Sequence, residues 1–236
     1  MPKLVFIHGP GAGACSDAFV NQLDYFPDAL APDLPGHLEG TRCCSVERYT
    51  DWVRGWIWAH GAKSDLVLCG YTLGASIALQ YGLDYPDEVA GLILMTVAMR
   101  PKVREKNTYQ MRLDAVENKK SYEEWIDFQV RAMHAVPKAL RRKLLQRHKQ
   151  VGPISQYHDL KAIDCFDVRD RIASLRPKLL LIRGLNDHGN PPNYETEIHK
   201  EVPGSQYIEL KNAGHFPTTE APSTVNPIIE KFVATL

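Results

Sequence analysis

Three short segments of this chain carry residue types that can move a proton and attack a carbonyl. In the first, Leu68-Cys69-Gly70-Tyr71-Thr72-Leu73-Gly74-Ala75-Ser76, an apolar strand pattern runs into Gly-x-Thr-x-Gly and then into an amphipathic helix pattern. A strand-to-helix turn this sharp presents the hydroxyl of its central residue at the carboxyl end of a sheet. Glycines flank it because larger side chains would clash in so tight a turn. The following helix offers backbone N–H groups and a positive dipole end to an oxyanion. Taken alone, the motif is equally a glycine-rich turn with no chemistry, because the usual nucleophile, Ser, is absent.

The other segments supply an acid and a base. Gly184-Leu185-Asn186-Asp187 ends an apolar run, and Asn212-Ala213-Gly214-His215-Phe216 follows the last strand pattern. The chain order is therefore hydroxyl, acid, histidine, with His215 lying 28 residues after Asp187. His8-Gly9-Pro10-Gly11-Ala12-Gly13 follows the first apolar run, where a second oxyanion donor would come from, and Asp33-Leu34-Pro35-Gly36-His37 follows the second expected strand.

These residues need a frame that gathers strand ends. Leu4–Ile7, Asp65–Cys69, Gly91–Val97 and Lys178–Ile182 are continuous apolar runs, most of them bounded by glycine, and so predict strands covered on both faces. Gln206–Leu210 alternates and predicts a weaker edge strand, and a further short strand is expected before Asp33. Helix patterns fit Val46–His60 with Ser45 as N-cap, Thr72–Tyr85, Pro192–Lys200 and Ser223–Ala234. The alternation predicts a doubly wound α/β sheet. From about 100 to 173 there is no strand pattern. Four helical patterns, 103–118, 121–134, 137–149 and 153–163, fit there instead.

Over essentially its whole length the sequence resembles the α/β-hydrolase fold family. The resemblance rests on the Gly-x-Thr-x-Gly turn, the His8-Gly9 loop, the Asp187 loop and the Gly214-His215-Phe216 segment. It implies a mostly parallel sheet flanked by helices, with a core of residues 1–99 and 174–236 and a helical cap over 100–173 inserted between two strands. It also implies roles for single residues. His215 is the general base, Asp187 fixes its tautomer and stabilises the imidazolium, and Thr72 is the nucleophile. The N–H of Leu73 is one oxyanion donor, and Tyr71 and Gly9 belong with the oxyanion and substrate-binding residues. No cofactor or metal is implied. The implied reaction is hydrolysis of a small carboxylic ester or related acyl compound.

Two departures bear on that reading. Thr72 stands where the family carries its nucleophile, in a backbone conformation with φ > 0 that a β-branched residue adopts at a cost. This leaves several readings open: a slowed nucleophile, a hydrogen-bonding group in a lyase or acyltransferase, a non-catalytic ligand-binding member, or an introduced replacement of Ser. Ser76, one helical turn on, is expected to face away from the site. Pro10, which has no N–H, occupies the position that often donates to the oxyanion, so Gly11 is expected to supply that donor and His8 to brace the loop.

Composition narrows the class further. With 28 Lys+Arg against 28 Asp+Glu the chain has no net charge, which argues against a dedicated nucleic-acid or membrane-surface protein. The expected partner is a small molecule, and the expected state a monomer or homodimer in the cytoplasm. No apolar run approaches the ~20 residues of a membrane span, and Met1–Ile7 has no signal-peptide pattern. Cys15, Cys43, Cys44, Cys69 and Cys165 show no metal spacing and read as reduced thiols, Cys69 in the core. Residues 100–150 hold 14 Lys/Arg and 6 Asp/Glu, about +8. That basic surface reads either as a solvated outer face or as a means of steering anionic substrates. Tyr109, Met111, Trp125, Phe128 and Met133 are expected mainly to pack the cap onto the core.

Overall fold

A computed structural model of the chain describes residues 2–11, 14–104, 107–133, 135–187, 189–191 and 193–236. Five strands form one parallel sheet: β1 (Lys3–Ile7), β2 (Leu66–Tyr71), β3 (Val89–Met95), β4 (Lys178–Gly184) and β5 (Gln206–Leu210). They lie side by side in chain order. On the far side of β1, Val5 bridges Leu30 in parallel. This is the expected short strand before Asp33, reduced to a single bridge, and the chain reverses its direction of winding there.

The helices are α1 (Val20–Tyr25), α2 (Val46–Ala59), α3 (Leu73–Asp84), α4 (Asn107–Glu117), α5 (Lys119–Ala132), α6 (Lys138–Cys165), α7 (Asn193–Glu201), α8 (Pro217–Glu220) and α9 (Pro222–Val233). Ser45 caps α2, its side chain accepting from the Arg48 N–H at 3.4 Å. One core cluster packs α2 and α3 onto one sheet face, with Tyr49, Val53, Leu68, Ile77 and Leu94 buried. A second packs α9 onto the other face, with Phe6, Val67, Ile93, Ile182, Ile229 and Phe232 buried. Both faces are thus covered, as continuous apolar strands require.

Some boundaries differ from the sequence reading. Gly70 and Tyr71 continue β2 rather than ending it, because they pair with Leu94 and Met95. Asp65 lies outside the strand with φ 53°, and Thr96, assigned to a strand from its apolar neighbours, turns out of β3 with φ 54°. Among the described residues no strand lies between β3 and β4. The third and fourth helical patterns form α6, interrupted at Gly152 (φ 83°, ψ 165°) ahead of Pro153. Pro192, expected to open a helix, lies outside the described residues. The helices α1 and α8 went unread, being too short to show periodicity.

Candidate functional site

Gly74 lets the β2–α3 turn close: a Cβ there would sit 1.9 Å from the Ile7 carbonyl oxygen, and one on Gly70 would sit 2.4 Å from the Gly74 carbonyl carbon. The turn sets Thr72 at φ 49°, ψ −112°, where it is the N-cap residue of α3 without any side-chain capping bond. Ser76 Oγ donates back to the Thr72 carbonyl at 3.2 Å, so its hydroxyl serves the helix and not the site.

His215 and Asp187 meet. His215 Nδ1 lies 3.0 Å from Asp187 Oδ2, with the carboxylate side chain almost fully buried. Burial pushes the Asp187 carboxyl up. The charge and hydrogen bond of His215, the Gly189 N–H and Arg183 more than offset this and hold it at about 2. An ionised acceptor at this distance fixes the tautomer with Nδ1–H toward Asp187, leaving Nε2 free to take a proton.

The sequence reading missed the residues that hold this pair. Gly189 N–H donates to Asp187 Oδ1 at 2.9 Å, and Asn190 Nδ2 lies 3.4 Å from Oδ2 and 3.2 Å from His215 Nδ1. Since Nδ1 already donates to the carboxylate, the Asn190 amide donates to Oδ2. Lys102 Nζ holds Asn190 Oδ1 at 3.0 Å and the Thr96 carbonyl at 2.8 Å. Burial and the neighbouring Arg104 bring the Lys102 ammonium down to about 8. Arg183, at the end of β4, donates to the carbonyls of Asp187 (3.2 Å) and Asn190 (2.6 Å), and its other nitrogen pairs with buried Glu195 at 3.0 Å. On the histidine loop, Glu220 accepts from the N–H groups of Gly214 and Phe216. One signal was available: Arg183 is a charge directly after the apolar run Leu179–Ile182.

Thr72 is not joined to the pair. Its Oγ1 is buried without a hydrogen-bond partner. A Cβ on Gly9 would come within 2.0 Å of it and within 2.7 Å of the Tyr71 ring. Of the three residues expected to converge, His215 and Asp187 are in contact, while the Thr72 hydroxyl rests against Gly9. The N–H groups of Gly11 and Leu73 donate to no acceptor among the described residues. His8 braces its loop as expected, with Nε2 accepting from the Leu34 N–H at 2.9 Å and Nδ1 contacting the Gly9 carbonyl at 3.1 Å.

A cavity of about 700 Å³ joins these groups. Thr72, Tyr71, Gly11, Asp187, Asn190 and His215 line it from the sheet side, and Met111, Arg112, Phe128, Gln129 and Gln156 line it from α4, α5 and α6. Of the aromatic and methionine residues expected to pack that segment, Trp125 and Met133 are fully buried, while Phe128 is 41% exposed and faces the cavity.

The His215–Asp187 pair, Gly11 and the positive-φ residue Thr72 thus line one cavity. The alpha/beta hydrolase family model matches residues 4–228. The chain belongs to the alpha/beta hydrolase family. Among its relatives, the pimeloyl-[acyl-carrier protein] methyl ester esterase of Nitrosomonas europaea is 23% identical over 94% of this chain and 91% of the relative. Lipase 1 of Psychrobacter immobilis is 25% identical over 92% of this chain and 72% of the relative. The enol-lactonase of Burkholderia xenovorans superposes with a TM-score of 0.84 at 16% identity, covering 99% of this chain and 92% of that one. A thermophilic esterase from Thermogutta terrifontis gives 0.83 at 20% identity, over 100% and 90%. These likenesses establish the hydrolase fold. Among the described residues, no group of three or more His, Cys, Asp or Glu is arranged to hold a metal ion, and no helix is long and apolar enough to cross a membrane.

Proposed function

We propose that this hydrolase cleaves small carboxylic esters or related acyl compounds through an acyl-enzyme on Thr72, with His215 as general base and Asp187 as its orienting acid. Membership of a family with esterase and lipase relatives supports ester hydrolysis in general. The observation carrying the finer reading is the 3.0 Å His215–Asp187 contact, opening on the cavity that Thr72 also lines. In the proposed cycle the Thr72 oxygen attacks the carbonyl carbon while His215 Nε2 takes its proton. The N–H groups of Leu73 and Gly11 hold the oxyanion. Collapse expels the alcohol, which recovers the proton from His215. Water, deprotonated by the same nitrogen, then attacks the acyl-enzyme and releases the acid. In this reading residues 100–173 form a cap that roofs the pocket, and residues 1–99 and 174–236 form the core.

Hydrolysis of p-nitrophenyl butyrate by the wild type, Thr72→Ala and His215→Gln tests the reading. Loss of turnover in both variants is the expected result. Full turnover by Thr72→Ala would rule out an acyl-enzyme at this position.

One observation favours a second reading. Because Thr72 Oγ1 is unpartnered and turned to Gly9, His215 and Asp187 can act without it, as the base of a lyase that removes a proton from bound substrate. Turnover that survives Thr72→Ala and vanishes in His215→Gln would mark this case.

A further inference from the structure

The cavity wall opposite the sheet holds a buried cation that has no ion-pair partner among the described residues. Arg112, on α4, is 5% exposed. Its Nε donates to Gln156 Oε1 at 3.1 Å and its Nη1 to the Thr108 carbonyl at 2.7 Å, with Met111 Sδ 3.7 Å away. All of these are neutral, and among the described residues Arg112 forms no salt bridge. The Phe128 ring lies 5.4 Å from its guanidinium carbon.

Other cations lining the cavity are provided for. Arg104 pairs with Asp164 at 2.5 Å. Lys102 is held by two oxygens and lies in the favourable field of Glu195 and Asp187. Arg131 is exposed to solvent. Arg112 has Arg104 as its principal charged neighbour, and that charge repels it. Burial and this repulsion bring its guanidinium down to about 10, so it stays charged at neutral pH. An unpaired buried charge is destabilising until a counter-ion reaches it, and a planar guanidinium is shaped for a carboxylate.

The cation is also close to the reaction centre. Gln156 accepts from Arg112 on one atom of its amide and, through Nε2, donates to the Pro10 carbonyl at 3.3 Å. Trp125 Nε1 fixes the same Gln156 oxygen at 2.6 Å. One side-chain amide therefore separates the guanidinium from the loop that carries the Gly11 N–H. Taking the ester reading above as given, we propose that Arg112 binds a carboxylate at the far end of the substrate's acyl chain, so that the preferred substrates are half-esters of short dicarboxylic acids. The acyl carbonyl sits at Gly11 and Leu73, and the free carboxylate sits against Arg112 over the Phe128 ring.

Calorimetric titration with glutaramate and with glutaramide tests this on the intact protein. The two probes are nearly isosteric, differ in charge and are not esters. Glutaramate is expected to bind at least tenfold more tightly than glutaramide. Arg112→Gln should bring the two to parity, and Arg112→Lys should retain part of the preference because it keeps the charge without the fork. Equal binding of the two probes by the wild type, or a preference that survives Arg112→Gln, would overturn the proposal. Should Arg112→Gln fail to fold, the wild-type preference and its reduction in Arg112→Lys decide. Turnover of p-nitrophenyl butyrate is read separately: an Arg112-dependent preference without any esterase activity keeps the anion site and removes the ester reading, whereas esterase activity without the preference does the reverse.

Discussion

The Thr72 hydroxyl oxygen is packed against the Cα of Gly9, closely enough that one methyl group added there would lie 2.0 Å from it. A threonine fills two of the three staggered positions on Cβ, so placing its methyl also decides where its oxygen goes. With φ at 49° the crowding is worse, since a β-branched residue meets its own backbone in that region.

Thr72→Ser should relieve both constraints. Strain of this kind is worth roughly 1–3 kcal/mol, and a gain of ~1 kcal/mol shifts Tm by about 2–4 °C in a chain of this size. A serine oxygen can also rotate from Gly9 toward His215, so ester turnover should rise by about tenfold or more, equivalent to ~1.4 kcal/mol of barrier. Calorimetric melting and p-nitrophenyl ester kinetics on the two proteins measure these effects. No change in either would dismiss the strain argument along with the nucleophile assignment.

Gly74→Ala should damage the fold itself. Its Cβ would need the space of the Ile7 carbonyl oxygen, 1.9 Å away, and a backbone atom cannot swing aside as a side chain can. The turn must open or β1 must shift, at a cost of about 3 kcal/mol. Urea unfolding midpoints will show it. A midpoint within error of wild type would mean that α3 can slide away from β1.

Asn190→Ala should leave the fold nearly intact and slow the chemistry. Asn190 supports Asp187 Oδ2, as Gly189 supports Oδ1, and is itself anchored by Lys102. Without it, His215 samples more orientations. A kcat lower on the order of tenfold, with KM changed little, is the expected signature of lost orientation. An effect confined to KM would place Asn190 in substrate contact instead.

His37→Gln tests a second buried charge pair. His37 Nε2 lies 2.8 Å from Asp159 Oδ2, and the Tyr49 hydroxyl donates to Oδ1 at 2.9 Å. The His8 ring, 4.7 Å away, is held neutral by its own burial and by His37. Burial lowers the His37 pKa, but Asp159 and carbonyl partners outweigh it and raise the pKa above 6.5. A raised histidine stabilises fully below its unfolded value of 6.5 and loses that contribution as pH climbs through the raised one. The variant should therefore be about 3 kcal/mol less stable at pH 6, with a smaller deficit at pH 9. Equal deficits at the two pH values, read from urea unfolding, would show that the pair does not titrate.

Much of the frame was legible because its signals are local. Apolar runs such as Leu179–Ile182 could only be buried strands, and Gly70-x-Thr72-x-Gly74 could only be a tight turn. His215 and Asp187 were singled out because each follows a strand pattern. Asn190, Lys102 and Arg112 were not, because their significance lies in partners far along the chain: Lys102 reaches Asn190 across 88 positions, and Arg112 reaches Gln156 across 44. The direction of the Thr72 hydroxyl was likewise invisible. It follows from the approach of Gly9, on a loop 63 residues earlier.

The chain leaves the sheet after Met95 and re-enters at Lys178 on the adjacent strand, where Gly91 pairs with Lys178 and Met95 with Ile182. The pairing of β3 with β4 is thus set by the strands, whatever lies between them. Closing a longer or shorter excursion there changes the entropy only slowly with length. The catalytic candidates and the selectivity candidate consequently sit on opposite sides of a natural splice. Thr72, Asp187 and His215 belong to the part that cannot vary without unmaking the sheet. Arg112 belongs to a stretch that insertion, deletion or exchange can rewrite, so descendants of this chain can inherit the reaction and still acquire a new diet.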